Sequence, residues 1–232
     1  PVYDCAVKLS IIIPVYNEKA NIAAVIDAVK TVDLPKEIIV VDDGSTDGTS
    51  EILESYKDDE TIRIHSSVLN FGKGTAIRVG LKYVTGDIVV IQDADLEYDP
   101  QQIPELIKPI VDGKADVVYG SRFKGSIKGM KFANWLANRI LVIAANVLYR
   151  ACISDEATCY KAFRADVIKS LQLKCTRFEF CPEVTAKVRK RGIPIHEIPI
   201  HYTGRTVAEG KKVTWKDGFE AIWVLIKYRF KD

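Results

Sequence analysis

Three acidic side chains, Asp93, Asp95 and Glu97, follow the apolar run Asp87-Ile88-Val89-Val90-Ile91-Gln92. Consecutive β-branched residues read as a fully buried strand, so the acidic trio is delivered to the carboxyl edge of a sheet. Side chains two residues apart on an extended chain point the same way, which puts the three carboxylates on one face. Carboxylates that close repel one another unless a cation sits among them. An all-oxygen donor set suits Mg²⁺ or Mn²⁺. Alone, Asp-x-Asp after a strand is also ordinary turn chemistry; its company is what gives this stretch weight.

That company is a set of polar turns at corresponding places. Pro14-Val15-Tyr16-Asn17-Glu18 closes one apolar run, and Asp42-Asp43-Gly44-Ser45-Thr46-Asp47 closes the next. Asn70-Phe71-Gly72-Lys73-Gly74 opens a helical pattern. A carboxylate at a strand end can accept hydrogen bonds from a nucleobase or from ribose hydroxyls, and a glycine-flanked helix start exposes backbone N–H groups to phosphate. Neither a P-loop nor a Gly-x-Gly-x-x-Gly fingerprint is present.

The elements that must hold these turns alternate. Leu9–Val15, Glu37–Val41, Thr61–Ser66 and the run before Asp93 read as strands. Helical patterns lie between them. Asn21–Val32 turns Ile22, Val25, Ile26 and Val29 to one side, and Lys73–Val84 has Ala76, Ile77, Val79, Gly80 and Tyr83 as its inner stripe. Thr46 or Asp47 can cap the short helix carrying Ile52 and Leu53. Such alternation predicts a mostly parallel sheet covered by helices, with functional groups outside the carboxyl ends of the strands. Further on, Ala115–Gly120 reads as a strand, Phe132–Arg150 and Phe180–Arg191 as helices, and Thr214–Phe230 as a final helix. Ile193–Tyr202, with Pro194 and Pro199, reads as an edge strand.

The totals set limits. The chain has 232 residues, 47% hydrophobic and 28% charged, a composition typical of globular domains. A net charge of +2 points to no nucleic-acid partner. Five cysteines (Cys5, Cys152, Cys159, Cys175 and Cys181) form no Cys-x-x-Cys pair, so reduced thiols in a cytoplasmic setting are expected. No leader segment is visible, and no apolar run reaches the ~18 residues of a membrane span.

Taken in order, Pro14-x-Tyr16-Asn17-Glu18, Val41-Asp42-Asp43-Gly44-Ser45-x-Asp47, Asn70-x-Gly72-Lys73-Gly74 and Asp93-Ala94-Asp95 resemble family 2 of the inverting, GT-A-fold glycosyltransferases. Gly120-Ser121-Arg122, Asp155-x-x-Thr158-x-Tyr160-Lys161-Ala162-Phe163 and Tyr202-x-Gly204-Arg205 through Lys211 look like the dolichyl-phosphate mannose synthases and their polyprenyl-phosphate relatives. The resemblance implies a single GT-A (Rossmann-like) α/β domain over residues 1–232, with a nucleotide-sugar half to about residue 120 and an acceptor half after it. It implies that Pro14, Tyr16, Glu18, Val41 and Asp43 hold nucleobase and ribose. Asp93, Ala94 and Asp95 would line the sugar diphosphate, with Asp95 and Glu97 at a Mg²⁺ or Mn²⁺ ion. Glu97 stands where many relatives carry Gln. Arg122 matches a phosphate-contacting arginine. Arg205 and Lys211 would lie on a mobile loop, 203–213, that closes over the diphosphate. The chemistry agrees: a departing nucleoside diphosphate needs cations, and arginine's forked donors match phosphate oxygens.

The donor implied is GDP-mannose or UDP-glucose. The acceptor implied is a polyprenyl phosphate, whose anionic oxygen needs no strong base but does need cations and a greasy surface. Arg122 and Arg139 are its docking candidates, although Ile143 stands where a serine is common. The segment around Trp135–Ile143 and the terminal amphipathic helix, with Trp215, Phe219, Trp223 and Phe230 among basic residues, suit a membrane interface. Peripheral attachment at the cytoplasmic face follows, with oligomerisation left open. A hydroxyl acceptor would instead require a carboxylate base, for which Asp155 leads and Glu179 and Glu183 follow. A nucleotidyltransferase is a further alternative. His65, His196 and His201 lack metal-ligand spacing.

Overall fold

The computed structural model describes residues 7–204 and 215–231. Seven strands form one sheet: β1 (Leu9–Val15), β2 (Lys36–Asp42), β3 (Ile62–Ser66), β4 (Ile88–Ile91), β5 (Val117–Lys128), β6 (Lys161–Arg164) and β7 (His196–Thr203). Their order is β3-β2-β1-β4-β6-β5-β7. The helices are α1 (Ile22–Lys30), α2 (Thr49–Glu54), α3 (Lys73–Leu81), α4 (Ile103–Val111), α5 (Phe132–Tyr149), α6 (Ala165–Ser170), α7 (Phe180–Lys190) and α8 (Trp215–Phe230).

The first four strands are parallel, as the alternating pattern predicts. All seven residues of β1 and all four of β4 are buried, which is why both read as continuous apolar runs rather than alternating ones. Strand β7 lies at the sheet edge beside β5, so Pro199 costs the ladder little, and Pro194 falls before the strand begins. On α3 the inner face comprises Gly74, Ala76, Ile77, Gly80 and Leu81. Tyr83 is not part of that face: the helix ends before it, and its ring stacks on His65 at 3.6 Å.

Three elements had no counterpart in the sequence pattern: α4, β6 and α6. Helix α4 carries Pro104 near its start and Pro109 inside it, and prolines mask helical periodicity. Strand β6 has only four residues and runs antiparallel between β4 and β5. This reversal matters for function. Because β6 runs backwards, the chain entering it, residues 150–160, arrives at the carboxyl end of β4, beside Tyr119 and Gly120 of β5. The second half of the sequence thereby reaches the same edge as Asp43 and Asp93.

Helices α5, α7 and α8 build a second, smaller core from Leu141, Ala145, Tyr149, Ala186, Leu225 and Tyr228. Tyr149 donates to the Leu225 carbonyl at 2.5 Å, tying α5 to α8. Helix α5 departs from the sequence expectation. Its 18 residues, with mean hydropathy 1.2 and only 28% buried, are long and apolar enough to cross a membrane by length and composition.

At the opposite end of the sheet, Glu37 is buried. Its carboxylate accepts from Ser10 Oγ (2.6 Å), Thr85 N (2.6 Å) and Thr85 Oγ1 (2.8 Å). Burial alone would raise its pKa, but these donors and Lys8 outweigh it and hold the carboxyl down at about 2, against an ordinary 4.5. A depressed folded pKa adds stability that is complete above the unfolded value and lost as pH falls through the folded one. Glu37→Gln should therefore cost about 1–3 kcal/mol at neutral pH. In urea unfolding, the gap to wild type should shrink toward about pH 3; a gap of constant size would refute this account.

Candidate active site

The carboxyl ends of β1 and β2 are sewn together. Asn17, in the left-handed region at φ 49°, donates its N–H to Ser45 Oγ (2.9 Å), and its Oδ1 accepts from Thr46 N (2.8 Å). Glu18 N donates to Thr49 Oγ1 (3.0 Å), and the Glu18 carboxylate accepts from Asn21 Nδ2 (2.8 Å). The residue at the N-cap of α2 is Gly48, at φ 97°, and neither Thr46 nor Asp47; Asp47 accepts from Thr49 N at 3.0 Å from one position further out. Pro14 and Val41 are buried register partners on β1 and β2, and Tyr16 is half-buried above them. Asp42 closes its own turn through Ser45 N (3.0 Å) and Ser50 Oγ (2.5 Å).

Asp43 reaches further, accepting from Phe71 N (2.9 Å) and Gly72 N (2.6 Å). Past it, Gly74 N and Thr75 N donate to the carbonyls of Arg177 and Thr176, each at 3.0 Å. The Asn70–Gly74 turn was expected to offer its N–H groups to phosphate. Instead, the donors of Phe71, Gly72, Gly74 and Thr75 are taken within the protein. Gly72, at φ +97°, would drive a Cβ onto the Thr176 carbonyl oxygen, and a Cβ on Gly74 would press on the backbone at Cys175 and Arg177. These glycines serve close backbone approach. What the turn presents to the site is the Lys73 side chain, which pairs with Asp93. Burial alone would lower the Lys73 pKa, but the Asp93 carboxylate outweighs it and holds the ammonium well above its ordinary range.

The strand alternation expected for Asp93, Asp95 and Glu97 stops short of them. Strand β4 ends at Ile91, and the chain turns from Gln92 onward. Tyr160 donates to Gln92 Oε1 (2.7 Å) while Gln92 Nε2 donates to the Asp93 carbonyl (3.0 Å). Ala94 is buried. Asp95 Oδ1 accepts from Glu97 N at 3.1 Å, and Glu97 accepts from the Tyr202 hydroxyl at 2.9 Å. Burial, then the Glu97 carboxylate, push the Tyr202 phenol up, so it remains a donor. Among the described residues, no three His, Cys, Asp or Glu side chains gather into a metal-binding cluster. The predicted protein-only trio of Asp93, Asp95 and Glu97 is therefore not assembled, because period-two geometry requires an extended chain. The donor set still fits a hard cation, since Mg²⁺-type ions are commonly held by one or two carboxylates together with substrate phosphates and water.

On the acceptor side, Arg122 and Asp155 form a buried bidentate pair, Nε and Nη2 each 2.7 Å from a carboxylate oxygen. Arg122 N adds a third bond at 3.0 Å. Arg122 also lies over the Tyr202 ring at 5.1 Å. Glu197, on β7, accepts from Ser154 N (2.8 Å) and Asp155 N (3.1 Å), and pairs with Lys124. Asp155 is thus placed as an anchor for Arg122. Glu183 is occupied by Lys174 N, Cys175 N and Tyr228, and Glu179 by Thr176 N and Arg177 N. Lys161 points inward to the carbonyls of Glu156 and Thr158. His201 bonds Ser126, and Arg139 stacks on Phe123 and Trp135 at 5.5 and 5.7 Å. Cys5, Arg205 and Lys211 lie outside the described residues, as does most of the 203–213 loop. Cys152, Cys159, Cys175 and Cys181 are free thiols. Lys73, Gln92, Glu197 and Tyr202 owe their importance to pairings across the fold; for Tyr202 and Lys73, only membership of a motif signalled it.

Beside this edge, α5 exposes Phe132, Leu136, Ile143 and Val147, and α8 exposes Phe219, Trp223 and Phe230. Lys227, Arg229 and Lys231 are exposed alongside the α8 aromatics.

The geometry agrees with comparisons to known proteins. The model of the family described as "Glycosyl transferase family 2" matches residues 10–171. A dolichol-phosphate mannosyltransferase of Pyrococcus furiosus is 30% identical over 213 residues, which cover 88% of this chain and 59% of that protein. The chain thus spans less than two thirds of that relative's length. Glucosyl-3-phosphoglycerate synthase from Mycobacterium tuberculosis in complex with phosphoglyceric acid superposes with a TM-score of 0.76 at 22% identity, covering 100% of this chain and 86% of that one. Its complex with Mn²⁺, UDP and glucosyl-3-phosphoglycerate gives 0.75 at 21%, with the same coverage. An α/β sheet with acidic turns at its carboxyl edge, the ordered motifs and the family match converge: this chain is a glycosyltransferase domain belonging to glycosyl transferase family 2.

Proposed function

We propose that the domain transfers a hexose, mannose or glucose, from GDP-mannose or UDP-glucose to a polyprenyl phosphate at the cytoplasmic face of a membrane, inverting the anomeric centre. The observation that carries this reading is the exposed apolar surface of α5 and α8 with Arg139 on the same helix as part of it. A lipid phosphate asks for that combination of cation and greasy surface. The dolichol-phosphate mannosyltransferase relative supports the acceptor class.

In this reading Pro14, Tyr16, Glu18, Val41 and Asp43 line the nucleoside pocket. Asp43 also sets the pocket wall by holding the Phe71–Gly72 backbone. Asp93, Ala94 and Asp95 face the sugar diphosphate, with Asp93, Asp95 and Glu97 the residues that would hold Mg²⁺ or Mn²⁺. Such an ion, when bound, neutralises charge developing on the departing diphosphate. Arg122 stabilises phosphate charge from a fixed position, its guanidinium oriented by Asp155. Arg205 and Lys211 contribute further cations from the loop. The acceptor oxygen is already anionic, so the attack requires no general base. That suits a site whose candidate bases, Asp155, Glu179 and Glu183, are engaged in holding structure.

Radiolabelled GDP-mannose and UDP-glucose, offered with undecaprenyl or dolichyl phosphate in vesicles, should give a lipid-linked sugar when Mg²⁺ or Mn²⁺ is present. Label appearing only in a water-soluble glycan would transfer the acceptor assignment to a hydroxyl. Asp155→Asn should lower stability by about 3 kcal/mol, because it weakens a buried charge pair, and should slow transfer without changing the shape of its pH profile. Loss of the acid limb of that profile would instead identify Asp155 as a base. Trp223→Glu should reduce flotation with anionic vesicles severalfold while leaving nucleotide binding intact, and undiminished flotation would remove α8 from the interface.

A further inference from the structure

Lys73 is the first residue of α3 and the charged side chain of the Asn70–Gly74 turn. Its backbone surroundings are fixed from two sides. Asp43 holds the N–H groups of Phe71 and Gly72, and the Thr176 and Arg177 carbonyls hold those of Thr75 and Gly74. From this rigid origin the ammonium crosses to the tip of β4. There it pairs with Asp93 and lies 3.4 Å from Cys159 Sγ. Both partners are largely covered, with side chains 25% and 18% exposed. A solvent-seeking lysine has no reason to enter such a place. An ammonium held against a carboxylate in partial burial repels any second cation that approaches the same oxygens.

We propose that Lys73 is a placeholder cation that keeps a bare divalent ion from Asp93 and yields to an ion arriving with a nucleoside diphosphate. The inference rests on the metal-assisted reading above and adds an order to it. A free Mg²⁺ or Mn²⁺ ion meets an Asp93 carboxylate whose charge is already balanced. The ion's complex with UDP or GDP carries net negative charge, and its neutral complex with the sugar donor still presents phosphate oxygens, so Lys73 gains a new acceptor from either. On binding, Asp93 exchanges its ammonium partner, and the Lys73 ammonium turns to a phosphate oxygen of the donor. Metal and nucleotide then enter as linked ligands, each raising the affinity for the other by the same factor.

Mn²⁺ titrations followed by electron paramagnetic resonance test this on the whole chain, with and without UDP or GDP. The proteins are wild type, Lys73→Met, Lys73→Gln and Lys73→Arg; glutamine keeps a hydrogen bond to Asp93 without the charge, which protects the fold. Without nucleotide, the two neutral variants should bind Mn²⁺ about tenfold or more tightly than wild type. Lys73→Arg should stay close to wild type, and nucleotide should raise Mn²⁺ affinity most in wild type. Neutral variants with native circular dichroism that bind bare Mn²⁺ no more tightly than wild type would overturn the assignment, even if wild type binds Mn²⁺ with nucleotide. Failure of wild type to bind Mn²⁺ with either nucleotide would instead remove the metal reading itself.

Discussion

The buried pair between Arg122 and Asp155 is the interaction around which the acceptor side of this domain is organised. Arg122 leaves the sheet from β5, and Asp155 arrives on the segment that leads into β6. Their two 2.7 Å bonds fasten the segment entering β6 to β5. A carboxylate and a guanidinium this well buried are costly to desolvate, and only bidentate geometry with further hydrogen bonds offsets that cost. Arg122 N supplies such a bond to the Asp155 carboxylate at 3.0 Å, and Glu197, on β7, fixes the backbone beneath it by accepting from Ser154 N and Asp155 N. The Tyr202 ring beneath Arg122 and its hydroxyl on Glu97 extend the same network to the acidic turn. Arg122, read as phosphate-binding, and Glu97 and Asp95, read as metal-binding, thus stand in one connected set of contacts.

The same economy governs the nucleotide side. Asp43 holds a neighbouring loop, the glycines of that loop admit the backbone at residues 175–177, and the one side chain left to act, Lys73, is aimed at Asp93. Rigid backbone and a single cation make a different device from a phosphate-cradling helix start. Charge balance at Asp93 can be changed by exchanging one partner for another without moving the fold.

The surface around α5 and α8 serves a different need. Packing through Leu141, Tyr149, Leu225 and Tyr228 joins the two helices, while their opposite faces leave Phe132, Val147, Trp223 and Phe230 in contact with solvent. An apolar expanse of this kind marks a docking surface more often than a defect. Its basic neighbours on α8 give it the charge that an anionic membrane attracts.

Periodicity and turn chemistry were sufficient to locate β1 to β4 and α1 to α3, because β1, β2 and β4 are buried on both faces, β3 is a short edge strand between turns, and each helix has one apolar side. Order along the chain also identified the residues at the strand ends: Glu18, Asp43, Asp93 and Asp95. Strand β6 escaped detection, since four residues of Lys-Ala-Phe-Arg carry no period and its direction depends on partners far away in sequence. The extended geometry assumed for Asp93 to Glu97 failed for a related reason: where a strand stops is decided by what caps it, here Gln92 held by Tyr160. Asp155 as the partner of Arg122, and Lys73 as the partner of Asp93, belong to the same class. Residue type and spacing establish which chemical groups a chain carries and roughly which edge they reach. Which groups touch, and are therefore engaged or ready, is settled only when the tertiary structure brings distant segments within hydrogen-bonding distance and excludes water from between them.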